Sequence, residues 1–349
     1  MDDTVHALVA TPAFAISGEG FTHGDVLLAA IAWEQWQALE RLLAEGLARV
    51  AAAERRGEQP TEEEIRVAVV GLRRARRLMA GEDYRRWLDA RSLSAGAVTD
   101  HARRTLLRER PVAAAGDEPA SDVLAAAVRA EAILSDRLRD WAARLAACAA
   151  AAHALGHDSS APPAPSDDEI ERLVAAVDAC RAPPMAQDGA RRRAPRILSL
   201  LAAERIFRER TVTEERIDRS LTDHHLDWQR YTWQEVGFAS EGAAREGALW
   251  VGEEGAPLAE VAAVAGVTVR AREAFGCDVP EFVGLLSTAA PGEPVGPVRA
   301  DDGWRVLVLD DRRPPAADDP EVRDRAASEI IDDALQRHLA GRLSWHGEL

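Results

Sequence analysis

Histidine spacing is the first feature of this sequence that could support chemistry. His153 and His157 stand four residues apart in an alanine-rich stretch, which would place both imidazoles on one helix face, as in a metal site. No third ligand lies within sequence reach, so a pair without metal is the better interpretation. His224 and His225 are adjacent and cannot face one site on a helix. The sequence therefore predicts no metal site and no cofactor.

Carboxylate pairs and glycine-rich turns are the next candidates for chemistry. Acidic doublets include Asp167-Asp168, Asp310-Asp311, Asp318-Asp319 and Asp332-Asp333. They fall at predicted helix starts, at a hairpin exit or on an exposed helix face, which favours capping and solvation over paired acid–base catalysis. Gly18-Glu19-Gly20 lacks the third glycine and the preceding strand of a phosphate loop. No Gly-x-Ser-x-Gly nucleophile motif occurs.

Tryptophan is unusually frequent, with nine residues against two tyrosines. Five of the tryptophans fall on predicted helices or at their ends: Trp33, Trp36, Trp87, Trp141 and Trp228. Core packing is the default interpretation of large aromatic side chains at these positions. The alternative is a tryptophan-lined groove that binds an extended peptide between the helical part and a C-terminal domain.

The charge balance limits the partners. The chain has 43 Lys and Arg against 59 Asp and Glu, a net charge of −16, whereas nucleic acids and anionic membranes are bound through basic surfaces. The longest basic run, Arg191-Arg192-Arg193 with Arg196, is expected to be a solvated helix face. We expect no nucleic-acid or membrane partner, and the acidic balance favours basic or neutral peptide partners.

Cysteine usage and hydropathy give an expected location. Cys148, Cys180 and Cys277 form no Cys-x-x-Cys pair and are odd in number, which favours buried small side chains over disulfides or zinc. No run of about 18 consecutive apolar residues occurs, and the first residues are acidic where a secretory signal would be basic. The sequence predicts a cytoplasmic protein.

Helices dominate the first part of the chain. Leu28, Leu39, Leu43 and Leu47 recur at helical spacing. Thr61 and Glu64 form a capping box after a break, and the Ser166 to Glu169 segment repeats it. The parallel between these segments predicts two related helical modules, over 20–112 and 120–212, joined by a linker over 111–119.

The C-terminal part changes to mixed structure. The pattern predicts a strand over 228–238, two short helices, an extended edge over 267–275, a helix over 279–289, and a hairpin around Asp301-Asp302-Gly303. This order describes a small α+β domain over 213–316. An amphipathic helix follows within 317–345 and is expected to pack back on the helical modules. The predicted fold class is α+β, mostly α.

Several motifs of the C-terminal part resemble the parvulin domain of peptidyl-prolyl isomerases. In chain order they are Val279-Pro280-Glu281-Phe282, Pro291-Gly292-Glu293, Gly296-Pro297-Val298 and Asp302-Gly303-Trp304. Upstream, the Glu82 to Leu88 segment and Leu106-Leu107-Arg108-Glu109-Arg110 resemble the N-terminal helical module of SurA/PpiC-type chaperones, in which such a module precedes a parvulin domain. The doubled module departs from that family's architecture.

The resemblance also indicates where a functional site would lie. Parvulins carry a histidine on the first strand and another after the aromatic residue of the last strand. Here those positions fall near Gln234-Glu235 and at Arg305, so both histidines are absent. The expected peptide-binding residues are Phe238, Phe282, Leu286, Trp304 and Arg305.

Prolyl isomerisation needs no nucleophile or metal, because a barrier of about 18–20 kcal/mol is lowered by twisting the amide in a shape-matched pocket. We therefore expect a peptide-binding chaperone or foldase with weak or no isomerase activity. One alternative is an active isomerase with a diverged pocket. Another is an accessory protein that binds a precursor peptide during ribosomal peptide maturation. The expected partner is unfolded polypeptide or precursor peptide, and a homodimer stays open.

Overall fold

The structure, a computed structural model, describes residues 9–110, 119–157, 163–300 and 303–346. The elements in chain order are β1 (Pro12–Ile16), β2 (Glu19–Thr22), α1 (His23–Ala32), α2 (Gln35–Arg56), α3 (Glu62–Ala75), α4 (Gly81–Ala90), α5 (Ala95–Arg108), α6 (Ser121–Leu134), α7 (Arg137–His157), α8 (Asp167–Asp178), α9 (Gln187–Thr211), α10 (Glu214–Asp223), α11 (His225–Trp228), β3 (Arg230–Phe238), α12 (Glu241–Glu253), α13 (Leu258–Ala265), β4 (Arg270–Phe275), a 3-10 turn (Gly276–Asp278), α14 (Pro280–Leu286), β5 (Pro294–Ala300), β6 (Gly303–Arg313), α15 (Pro320–Leu339) and β7 (Leu343–Trp345). The predicted fold class, α+β and mostly α, is confirmed.

The chain divides into two units. The first comprises Met1–Arg208 with Leu335–Leu349, and the second comprises Glu209–Ala334. The first holds the helices α1 to α8, most of α9 and the small antiparallel sheet β2-β1-β7. The second holds the four-stranded antiparallel sheet β4-β3-β6-β5 with its helices. No helix among the described residues is both long enough and apolar enough to cross a membrane.

Three helices of the first unit begin with a capping box. Before α3, the Thr61 amide donates to Glu64 Oε2 at 2.7 Å, and the Glu64 amide donates to Thr61 Oγ1 at 3.2 Å. Ser166 and Glu169 make the same reciprocal pair before α8. These bonds satisfy amides that a helix start leaves without partners. Both predicted capping boxes are confirmed.

Two local features differ from the sequence prediction. The alanine-rich residues 124–155 have the composition of one long helix but form two, because Asp136 adopts a left-handed backbone with φ of 60° between α6 and α7. Strands β1, β2 and β7 were not expected from the sequence. They contain five, four and three residues, and β1 pairs Phe14 with Trp345 from the far end of the chain. The predicted linker over 111–119 lies almost entirely outside the described residues.

One large apolar core holds the first unit together. Trp36 and Leu39 of α2 are buried in it with Trp141 and Leu145 of α7, so both predicted modules contribute side chains to it. Buried Glu40 connects α2 to the segment between α8 and α9, because its carboxylate accepts bonds from Trp36 Nε1 at 3.1 Å and from the Ala182 amide at 2.8 Å. Core packing is confirmed for four of the five tryptophans discussed above: Trp36, Trp87, Trp141 and Trp228.

A buried charge network connects α5 to α6. The Glu131 side chain is 3% exposed and accepts from His101 Nδ1 at 2.9 Å and from the Arg104 guanidinium at 3.0 Å. Burial by itself would raise the pKa of Glu131, but the hydrogen bonds and electrostatic attraction of His101 and Arg104 outweigh it and hold the pKa below its ordinary value. The carboxylate is therefore ionised at neutral pH, and it supplies the counter-charge for the buried Arg104 guanidinium.

Three of the four arginines in the basic run on α9 form ion pairs within the first unit. Arg191 pairs with Glu171 at 2.7 Å, and Arg193 lies 3.4 Å from Asp25. Arg196 pairs with Glu19 at 2.7 Å. Three of the four guanidinium groups of the run therefore face carboxylates of the same chain. The run is thus part of an intramolecular charge pattern and not a concentrated basic surface.

His23 makes the stability of the first unit depend on pH. The residue is buried, both ring nitrogens lack a hydrogen-bond partner among the described residues, and burial with the nearby Arg91 charge lowers its pKa from 6.5 to about 4. Because the unfolded chain binds this proton more readily, stability is full above pH 6.5 and is lost as the pH falls towards 4.

We expect wild-type protein to lose about 2 kcal/mol of unfolding free energy through His23 between pH 7 and pH 5. Urea unfolding at both pH values, compared with His23→Leu, measures this. The leucine variant should show a smaller loss by about that amount. Equal pH dependence in both proteins would contradict a buried neutral imidazole.

The second unit has the element order that the sequence predicted: strand, two helices, strand, helix and hairpin. β3 pairs with β4 on one side and with β6 on the other, and β5 pairs with β6. The expected hairpin turn includes Asp301 and Asp302, which lie outside the described residues. Helix α15 begins in this unit and packs Val322 and Ala326 against Trp228 and Phe275.

Candidate functional site

The period of two along β3 and β6 sorts the candidate residues onto opposite faces of the sheet. Tyr231, Trp233, Leu307 and Leu309 pack with helix α14, and we call this side the α14 face. Residues of the other parity pack with helices α12 and α13, and we call that side the α12–α13 face. Glu235 and Arg305 have the parity of the α14 face, since both lie an even number of residues from its core members.

The α14 face brings together four of the residues singled out in the sequence. Phe282 and Leu286 of α14 pack in its apolar cluster and are 2% and 0% exposed. Glu235 lies on β3, and Arg305 lies on β6 with its guanidinium 5.9 Å from the centre of the Phe282 ring. The cation therefore lies beside the apolar pocket position, within range of a cation–π contact.

The other two expected peptide-binding residues, Phe238 and Trp304, lie on the α12–α13 face. Phe238 and Trp304 are directly paired across β3 and β6 and pack with Val261 and Ala262 of α13. The structure thus differs from the expectation that all five residues line one cavity. The reason is parity, because Phe238 stands three residues after Glu235 and Trp304 stands next to Arg305.

A charge cluster lies at Glu235 and Arg305, near the first position and at the second position where the sequence resemblance places a histidine. The Glu235 side chain is 3% exposed and lies 3.4 Å from the Arg305 guanidinium. Arg272 of β4 donates from Nε to Glu235 Oε1 at 3.1 Å, and Trp233 Nε1 donates to Oε2 at 3.3 Å. One buried carboxylate therefore receives bonds from two guanidinium groups and an indole.

The chemistry of these groups favours charge pairing over proton transfer. Arginine stays protonated at all physiological pH values, and Glu235 accepts several donated hydrogen bonds at once. A general base needs a free lone pair near pH 7, and a general acid needs a removable proton. No group of three or more potential metal ligands occurs within the part of the chain that the structure describes.

The backbone edge of β4 is the most open part of the sheet. β4 is the terminal strand, pairs only with β3 among the described strands, and exposes Arg270, Ala271, Arg272 and Glu273. β5, the opposite terminal strand, contacts α12 and contains Pro294 and Pro297, which have no backbone N–H to donate. An additional strand can therefore pair with β4 more readily than with β5.

Two residues of this site were missed in the sequence. Arg272 and Trp233 complete the Glu235 cluster, although neither has a counterpart in the family's histidine pattern. The signal that could have found them is register: Trp233 and Arg272 are directly paired in the antiparallel ladder, and both have the parity of Glu235 and its partner Arg270.

Comparisons with known proteins give only distant likenesses. No family model matches the chain, and no curated protein matches it. PrsA from Bacillus subtilis is 13% identical, with 51% of this chain and 75% of that chain covered and a TM-score of 0.21. A solved structure from a study of PEB4 and Cj1289, two structurally related SurA-like chaperones of Campylobacter jejuni, is 9% identical. The match covers 97% of this chain and 100% of that chain, with a TM-score of 0.19. At these TM-scores the fold rests on the chain's own elements.

Proposed function

We propose that this protein is a non-covalent peptide-binding chaperone of the SurA/parvulin type in which the isomerase site has been replaced by a structural ion pair. The observation that carries the proposal is the Glu235 and Arg305 pair, 3.4 Å apart, at the two positions where the resemblance expects histidines. The proposed client is an unfolded polypeptide or a precursor peptide.

The packing of the α14 face supports the loss of isomerase activity. A prolyl isomerase has to fit the twisted amide better than either planar form, which needs an apolar pocket that the peptide can enter. Phe282 and Leu286, two of the expected peptide-binding residues, are 2% and 0% exposed and pack in one cluster with Leu307. Their surface is used in the core of the unit, so little of it is left to enclose a proline ring.

The open edge of β4 supports peptide binding. Extended peptides bind to exposed sheet edges through main-chain hydrogen bonds, and this mode tolerates many side chains. Such binding needs neither the family histidines nor an open prolyl pocket. It is therefore compatible with the replacement of both histidines.

A protease-coupled assay of a prolyl tetrapeptide tests the first half of the proposal. We expect the cis-to-trans rate to stay at the uncatalysed value when this protein is added, while an ordinary parvulin accelerates it under the same conditions. Turnover comparable to that parvulin would overturn the proposal and favour an active isomerase with a diverged pocket. The cytoplasmic location and the absence of nucleic-acid and membrane partners stay predictions.

A further inference from the structure

We infer that the outer edge of β4 binds an extended peptide segment with acidic side chains, and that Arg270 and Arg272 pair with its carboxylates. The inference rests on the proposed peptide-binding function and narrows the client to a chemical class. The bound peptide would form an added strand of the sheet, either antiparallel or parallel to β4. The outer edge of β4 pairs with no described strand, and its two arginines share one face of the sheet and are both positively charged.

The register of β4 places both arginines on one face. Arg270 is directly opposite Glu235, and Arg272 is directly opposite Trp233, so both have the parity of the α14 face. Side chains two residues apart on a strand lie about 7 Å from each other along it. An added strand with acidic residues at alternate positions would present its carboxylates to both guanidinium groups on this face.

The local charge is positive although the chain is acidic. Arg272 shares the single Glu235 carboxylate with Arg305, and its side chain is 47% exposed. Arg270 is exposed and makes no ion pair with any residue that the structure describes. Two partly solvated guanidinium groups on the strand edge therefore have spare hydrogen-bonding capacity, and carboxylates complement them best.

Charge also argues against a second copy of this chain as the occupant. Two β4 strands paired antiparallel across a two-fold axis would place Arg270 and Arg272 of both copies on the same face of a continuous sheet. Like charges directly opposite each other destabilise strand pairing. On the other face of β4, Glu273 is already paired with Arg230 at 3.0 Å and Arg313 at 3.1 Å, and so offers no compensation.

The experiment is fluorescence anisotropy with three labelled peptides of one length that alternate valine with glutamate, glutamine or lysine. We expect the glutamate peptide to bind the full chain about tenfold more tightly than the glutamine peptide at low salt, and the lysine peptide to bind weakest. The preference should shrink as salt is added. A glutamate peptide with alternate backbone nitrogens methylated should lose its affinity, because the strand-edge hydrogen bonds are blocked.

The double variant Arg270→Gln/Arg272→Gln should bind the glutamate and glutamine peptides within about twofold of each other. Its matched control is Arg219→Gln/Arg245→Gln, which removes two exposed arginines of α10 and α12 in the same unit and should keep the preference. Thermal unfolding of both double variants checks that they fold. Arg270 makes no ion pair within the described part of the chain, so the single variant Arg270→Glu should also fold and should bind the lysine peptide more tightly than wild type does.

The outcomes separate this inference from the proposed function. If all three peptides bind equally to wild type, the acidic preference is wrong while peptide binding stands, and the arginines only protect an exposed edge against self-association. If none binds and aggregation of an unfolded client is also not suppressed, the proposed function fails with it. A preference that survives the double variant would place the site elsewhere and overturn the inference.

Discussion

Replacement of Glu131 by alanine is expected to lower the free energy of unfolding of the first unit by about 4 kcal/mol. Glu131 is the common partner of His101 and Arg104, and the Arg104 side chain is only 4% exposed. Removal of the carboxylate leaves that guanidinium buried without a counter-charge. An uncompensated buried charge costs far more than a surface ion pair contributes.

Urea denaturation measures this loss, and two further variants show its cause. Glu45→Ala removes a carboxylate that pairs with Arg49 on the surface and is 51% exposed, so it should change stability by less than about 1 kcal/mol. The double variant Glu131→Leu/Arg104→Leu removes both buried charges and should recover much of the stability. A loss below about 1 kcal/mol for Glu131→Ala would show that Arg104 finds water or another partner.

Replacement of Glu235 by alanine is expected to destabilise the second unit by about 3 kcal/mol. The carboxylate is 3% exposed and receives bonds from Arg272, Arg305 and Trp233. Its loss leaves an indole N–H without an acceptor and two like charges without their common counter-ion. The expected cost is below that of Glu131→Ala, because Arg305 is 22% and Arg272 47% exposed and both can turn towards water.

Native-state hydrogen exchange of the β3 amides reports this change in the unit where it occurs. The matched control is Glu273→Ala on the adjacent strand, which removes a carboxylate that is 44% exposed and paired with Arg230 and Arg313. It should change the opening free energy by less than about 1 kcal/mol. Equal effects of the two substitutions would contradict a structural role specific to the buried pair.

Features with local signals were predictable from the sequence. The capping boxes at Thr61 and Ser166 depend on residues three positions apart, and their hydrogen bonds are confirmed. The order of strands and helices in the second unit followed from alternation and turn residues. The packing of Phe238 and Phe282 on opposite sides of the sheet was also predictable from the sequence. Phe238 stands an odd number of residues after Glu235 on β3, so the two side chains point to opposite faces.

Features that depend on distant pairing were not predictable. β7 pairs Trp345 with Phe14, and strands this short carry too little pattern to be distinguished from loops. Arg272 becomes a partner of Glu235 only through the register of β4 on β3, which no motif specifies. The break at Asp136 interrupts a stretch of good helix formers, and the left-handed backbone there accompanies tertiary contacts such as the Arg76 pair at 2.9 Å.

We propose that the protein binds peptide without isomerising its prolyl bond. Exchange NMR on one prolyl peptide measures both binding and cis–trans isomerisation. The peptide should contain a single proline flanked by acidic residues, with cis and trans resonances resolved before protein is added. We expect substoichiometric protein to broaden or shift the peptide resonances while no exchange cross-peaks connect cis and trans. Cross-peaks that appear with catalytic amounts of protein would contradict the claim, and unchanged resonances would contradict peptide binding.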